Sequence, residues 1–308
     1  MNETFARDQE VQFESAGLSL SGTLSVPVTG TPSAVVLMLQ GSGQTDRNDN
    51  AGRMKIDLFE PLVERLAEMG IATFRYDKRG VGKSQGDYWS SGFYDLEADA
   101  REAISYLMSA PQVNAEKVYI LGHSEGAMLA AKLASGKSQV TGAVLLAGSA
   151  KTGEETILWQ TAKIAQSLKG LNKAIIRLFK IDVKKSLKKN LLRIKEAKGD
   201  YTRIQGQKIN AKWMREFLAY DPVPDLEKVN LPVLALTGSK DVQVDPADIE
   251  LMSKVINGPT TAQVLPGLSH LFRVDPTDDG VAGYKKQLKH PVDESVLKAV
   301  TDWFRDKQ

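Results

Sequence analysis

Gly122-His123-Ser124-Glu125-Gly126 stands between an apolar run, Val118-Tyr119-Ile120-Leu121, and a helix-prone one, Ala127-Met128-Leu129-Ala130-Ala131. The order predicts a strand, a tight turn and a helix, with a serine at the turn. Such a serine is a nucleophile elbow: the turn is strained, only glycine lets neighbouring backbone come so close, and the strain projects Oγ outward. An ordinary glycine-framed turn is the alternative. The strand and helix on either side argue against it.

Working outward from the elbow, short and nearly continuous apolar runs recur at Ala34–Leu39, Ile71–Tyr76, Ala143–Leu146, Val233–Leu236 and Ala262–Leu265. Runs of this kind predict strands buried on both faces. Helical periods lie between them, at Ile56–Met69, Phe93–Met108, Gly126–Leu133, Pro246–Ile256 and Val292–Phe304. Alternation of the two calls for an α/β fold with a mostly parallel central sheet and helices on both faces. Val11–Glu14 and Leu18–Val26 alternate apolar and polar residues around Ala16-Gly17, which predicts an N-terminal antiparallel hairpin.

One stretch interrupts the pattern. Thr152–Tyr220 shows no convincing strand, so it reads as a helical cap inserted into the core, giving core segments 1–150 and 222–308 and a cap at 151–221. Ile176, Phe179, Val183, Leu187, Leu191 and Ile194 recur at intervals of three and four, with Lys184, Lys185, Lys188 and Lys189 on other faces. Gly199-Asp200 is expected to end that helix, and Trp213–Tyr220 suggests another.

The 308 residues suffice for a full core, and 42% hydrophobic with 25% charged residues is ordinary for a soluble globular protein. The net charge of +2 hides an asymmetry: residues 151–220 hold 17 Lys and Arg against 6 Asp and Glu. A solvated outer face is the plain reading of that excess. A weak contact with an anionic surface is the sharper one. No nucleic-acid motif accompanies it, and no apolar run is long enough to span a membrane. The polar first residues, Met1–Glu14, hold no apolar signal-peptide core, so a cytoplasmic address is the default expectation. The absence of cysteine excludes disulfides, thiolate metal sites and a cysteine nucleophile, and no two histidines stand at ligand spacing, so neither metal nor cofactor is expected.

A serine hydroxyl needs a base within reach and a third group to orient that base. The chain has three histidines. His123 adjoins Ser124 at a strand end, where successive side chains point to opposite faces, and His290 precedes Pro291 and the last helix. His270, in the loop Pro266-Gly267-Leu268-Ser269-His270 after the last predicted strand, is therefore the candidate base, since catalytic groups gather at the carboxyl ends of open α/β sheets. Asp241, in Gly238-Ser239-Lys240-Asp241, is the candidate orienting acid, while Asp245 reads as a helix cap before Pro246. Chain order is then Ser124, Asp241, His270. Backbone N–H groups of Glu125 and of Ser42, in Gln40-Gly41-Ser42-Gly43-Gln44, are the expected oxyanion donors, with Gly43 as the neighbouring possibility for the second.

These residues resemble the α/β-hydrolase superfamily, and within it the bacterial carboxylesterase and serine aminopeptidase-like branch. The resemblance covers nearly the whole chain and rests on Gly122–Gly126, on Asp77-Lys78-Arg79-Gly80-Val81-Gly82-Lys83-Ser84, on Gly238–Asp241 and on Gly267–His270. It implies the α/β-hydrolase fold with a helical cap where Thr152–Tyr220 interrupts the pattern, and hydrolysis of small carboxylic esters through an acyl-enzyme. The family's usual His-Gly at the oxyanion loop is Gln40-Gly41 here. Gly82-Lys83-Ser84 imitates the end of a P-loop, yet Asp77 stands where that motif needs glycine, and Asp77 and Arg79 read as structural. Trp159, Trp213, Phe217 and Tyr220 of the cap are expected to line the substrate pocket, with Gln40, Gly41 and His123 beside the serine. Two other functions fit less well: a serine peptidase of the aminopeptidase type, for which Glu125 or Glu216 would hold an α-amine, and a non-catalytic binding protein of the same fold.

Overall fold

The computed structural model describes residues 4–113, 116–136, 139–168 and 182–307. Strands β1 (Ala6–Ser15) and β2 (Leu18–Pro27) form the expected hairpin. Ala16 and Gly17 between them both take positive φ, 48° and 75°, the geometry of the tight turns that match strand twist. Six further strands, β3 (Ala34–Leu39), β4 (Ile71–Tyr76), β5 (Val118–His123), β6 (Gly142–Leu146), β9 (Val233–Gly238) and β10 (Thr260–Leu265), complete one sheet in the order β1-β2-β4-β3-β5-β6-β9-β10. Antiparallel pairing is confined to β1–β2 and β2–β4, and the rest is parallel.

The apolar runs are continuous because helices cover both faces. Along β3, Val35, Leu37 and Leu39 pack toward α2 (Phe93–Ser109) and α3 (Glu125–Ser135), while Val36 and Met38 pack toward α1 (Phe59–Glu68) and the last helix, Glu294–Arg305. The exception is β10. Of its residues only Leu265 is buried, because this strand pairs on one side only and is an edge of the sheet, so the reading of Ala262–Leu265 as doubly covered is corrected.

Between β6 and β9 the chain leaves the core for α4 (Gly153–Ser167), α5 (Val183–Glu196) and α6 (Ala211–Ala219), then returns through the short α7 (Val223–Leu226). Leu191 and Ile194 of α5 are buried as its periodicity requires, while Ile176 and Phe179 lie outside the described residues. The expectation of an all-helical insertion is corrected: β7 (Tyr201–Ile204) and β8 (Gln207–Asn210) pair antiparallel across Gln205-Gly206, both at positive φ. Four-residue strands with one buried side chain each leave little periodic signal. The core resumes with α8 (Asp248–Val255), α9 (Tyr284–Gln287) and α10 (Glu294–Arg305). Among the described residues no helix is long and apolar enough to cross a membrane.

Candidate active site

The loops after β3, β5, β9 and β10 all emerge at the carboxyl edge of the parallel strands, which brings residues 40–44, 124, 241 and 270 to one rim. Ser124 lies between β5 and α3 with φ 56° and ψ −115°, a conformation unfavourable for any residue with a side chain. Tight packing holds it there. A Cβ on Gly122 would collide with the Gly126 carbonyl, and one on Gly126 with the Leu39 carbonyl. Ser124 N–H donates to the Leu146 carbonyl of β6 at 2.8 Å.

His270 Nδ1 meets Asp241 Oδ2 at 2.7 Å, and both residues are buried. The other oxygen, Asp241 Oδ1, accepts the backbone N–H groups of Gln243 (2.7 Å) and Val244 (3.0 Å), so the carboxylate is fixed by three donors. With Nδ1 donating, Nε2 is left as the basic nitrogen. Among the described residues the Ser124 hydroxyl makes no hydrogen bond, to His270 or to any other group. Asp245 does not cap the helix as expected: the cap position is Ala247, and the Asp245 carboxylate accepts the Ala247 N–H at 3.1 Å just before the helix and pairs with Lys151.

A second aspartate–histidine pair lies behind the first. His123 Nδ1 contacts Asp49 Oδ2 at 2.6 Å, His123 Nε2 contacts the His270 carbonyl at 3.0 Å, and the two imidazole rings are 4.8 Å apart. Burial disfavours the His123 cation, but the Asp49 carboxylate outweighs it and holds the pKa above the ordinary histidine value. Asp49, itself at φ 66°, also accepts the Gly41 N–H at 2.7 Å. His290 is exposed, at the far side of the final turn before α10.

Ser42 and Glu125 line one cavity with Ser124, and among the described residues the backbone N–H of neither donates to a partner. Gln40 is turned away: its Nε2 donates to the Tyr76 carbonyl at 2.9 Å, tying the loop to β4. The cavity, about 50 Å³, is walled by Trp213, Phe217 and Met128, with Ser149, Thr156, Ile157, Gln160, Gln243 and Val244 around it. Trp213 and Phe217 stack at 4.8 Å. Trp159 instead lines a separate hollow between α4 and α5, and Tyr220 is buried against Phe93 with its hydroxyl on Asp225. Glu125 spends both carboxylate oxygens on Lys78 (2.7 Å) and Trp213 Nε1 (2.5 Å), and Glu216 accepts the Tyr94 N–H. Asp77 clamps Arg47, and Arg79 makes a two-pronged pair with Asp99.

The family model described as serine aminopeptidase, S33, matches residues 51–277. Esterase EstD of Thermotoga maritima is 29% identical over 287 residues, 92% of this chain and 65% of that protein. The chain thus spans somewhat less than two thirds of that relative. Among solved structures, Est1E from Butyrivibrio proteoclasticus with ferulic acid bound superposes with a TM-score of 0.65 at 19% identity, covering 96% of this chain and 98% of that one. A proline iminopeptidase from Mycobacterium smegmatis superposes with a TM-score of 0.64 at 14% identity, covering 97% and 98%. At such identities these two likenesses speak to the fold.

Proposed function

This chain belongs to the serine aminopeptidase, S33, family of α/β-hydrolases, and from that premise we propose that it is a serine hydrolase of small carboxylic esters. Ser124 Oγ attacks the ester carbonyl while His270 Nε2 takes its proton, with Asp241 holding Nδ1–H and stabilising the imidazolium. The oxyanion is met by the Ser42 and Glu125 N–H groups. His270 returns the proton to the departing alcohol, and water activated by the same nitrogen then releases the acid from Ser124.

The observation that carries this reading is the shared cavity, in which two unpartnered backbone donors flank a serine on a strained turn. A volume of about 50 Å³ favours acetyl- or propionyl-sized acyl groups. The same cavity disfavours an aminopeptidase, because Glu125, the one carboxylate among the described residues that line it, is already spent on Lys78 and Trp213. Ser124→Ala should lower turnover of p-nitrophenyl acetate by at least about 10⁴-fold with an unchanged circular dichroism spectrum. Turnover within tenfold of the wild type would overturn the assignment. An amino-acid p-nitroanilide of similar size should be a far poorer substrate than the ester.

A further inference from the structure

The proton relay leaves two buried charges beside it unused. Lys78, in the loop after β4, and Glu125, the first residue of α3, are 4% and 1% exposed at their side chains. Their ammonium and carboxylate meet at 2.7 Å, and Lys78 Nζ also donates to the Gly41 carbonyl at 2.6 Å. A structural strut is the simplest reading of such a pair. Yet a buried ion pair returns little net stability, because desolvating both groups offsets their attraction.

What the pair touches is more specific. The Gly41 carbonyl and the Ser42 N–H belong to one planar peptide unit, so an ammonium fixed on the oxygen also fixes the direction of the N–H. It polarises that unit as well, making the N–H a stronger donor. At its other end the pair terminates on Glu125, which lines the cavity from the helix side and whose own N–H has no partner among the described residues. A single ion pair therefore spans the two donors. Asp49 holds the opposite side of Gly41 through its N–H, and Trp213 of α6 holds the second oxygen of Glu125, so each end is braced.

We propose that Lys78 and Glu125 are positioning residues for the oxyanion site, their ion pair setting the separation and aim of the Ser42 and Glu125 N–H groups. This rests on the serine hydrolase reading above. Donors that are misaimed weaken the transition state while leaving ground-state binding largely intact, so the loss belongs in kcat.

The decisive variant is the neutral double substitution Lys78→Met with Glu125→Gln, which leaves no unpaired charge and keeps an acceptor for Trp213. It should melt near the wild-type temperature, lose about 10- to 100-fold in kcat on p-nitrophenyl acetate, and hold KM within about threefold. Affinity for a trifluoromethyl ketone, whose bound adduct carries an oxyanion, should fall in proportion to kcat/KM. Lys78→Met alone should lose as much kcat and also stability, since it strands the Glu125 charge. If the double variant regains wild-type kcat with its stability, or loses activity only by unfolding, the pair is a strut and the proposal fails. Ser124→Ala, assayed in parallel, separates the two levels: persistent turnover there sinks the serine hydrolase reading, whereas its loss beside a fully active double variant sinks this one alone.

Discussion

Both partners of His123, the Asp49 carboxylate and the His270 carbonyl, are acceptors, and together they favour a proton on each ring nitrogen. Its raised pKa agrees with that inventory. The cation's contribution to stability is therefore fully present below the ordinary histidine value of 6.5 and is lost as pH rises through the higher folded-state value. Urea denaturation at stepped pH should therefore show wild-type stability declining above about pH 6.5, on top of other titrations. Asp49→Asn should flatten that decline and cost about 1–3 kcal/mol near neutrality, since it strips a buried cation of its counter-charge. An unchanged slope in the variant would rule out the Asp49–His123 charge pair. That Ser124, Asp241 and His270 lie on one sheet edge is legible in the sequence, because each follows an apolar run that forms a strand of the parallel sheet. Asp49 is not, since it lies in a polar loop, Asp46-Arg47-Asn48-Asp49-Asn50, with no periodicity to mark it. Lys78 stands inside the Asp77–Ser84 motif, but nothing in the sequence gives it a role, because only the folded chain brings its ammonium to the Gly41 carbonyl.

Helix α6 illustrates how an element of the cap acquires a fixed place over the core. Asn210 caps it, its Oδ1 accepting the Trp213 N–H at 2.9 Å, while its Nδ2 donates to the Tyr88 and Ser91 carbonyls at 2.5 and 2.7 Å. Lys212–Asp95 and the Glu216–Tyr94 bond add to the same seam. The Asn210 side chain thus caps α6 with its oxygen and ties that helix to the segment before α2 with its nitrogen. Asn210→Ala should destabilise the protein by about 2–3 kcal/mol, a lost cap plus stranded carbonyls, and should lower kcat by moving Trp213 off Glu125. Asn210→Ser restores the cap alone and should recover about 1 kcal/mol. Equal melting temperatures for the two variants would show that capping contributes nothing. The parallel strands and the longer core helices are legible to within a few residues, because doubly covered strands give unbroken apolar runs, whereas the four-residue helices α7 and α9 are too short to show a period. The β7–β8 hairpin escaped, being short with one buried side chain in each strand. So did the edge position of β10, which depends on what lies beside it and not on its own residues.

The cap leaves and rejoins the core at one point, since the Gly153 N–H donates to the Tyr220 carbonyl at 3.0 Å. An insertion with adjacent ends costs the core little in chain entropy, and its removal need not disturb strand order. We therefore expect residues 1–150 and 222–308 to fold as a unit when 154–216 are replaced by a short Gly-Ser linker. The same excision uncovers Met128 and removes Trp213, Thr156, Ile157 and Gln160 from around Ser124. Water then reaches the oxyanion site, and the brace on Glu125 is lost. Turnover of the acetyl ester should fall at least about tenfold, equivalent to about 1.4 kcal/mol of barrier. The ratio of octanoyl- to acetyl-ester kcat/KM should rise, because Thr156, Ile157 and Gln160 of α4 and Trp213 of α6 form one wall of the cavity of about 50 Å³. A capless chain that folds yet keeps the wild-type acyl-length profile would show that the core loops, and not the cap, set selectivity.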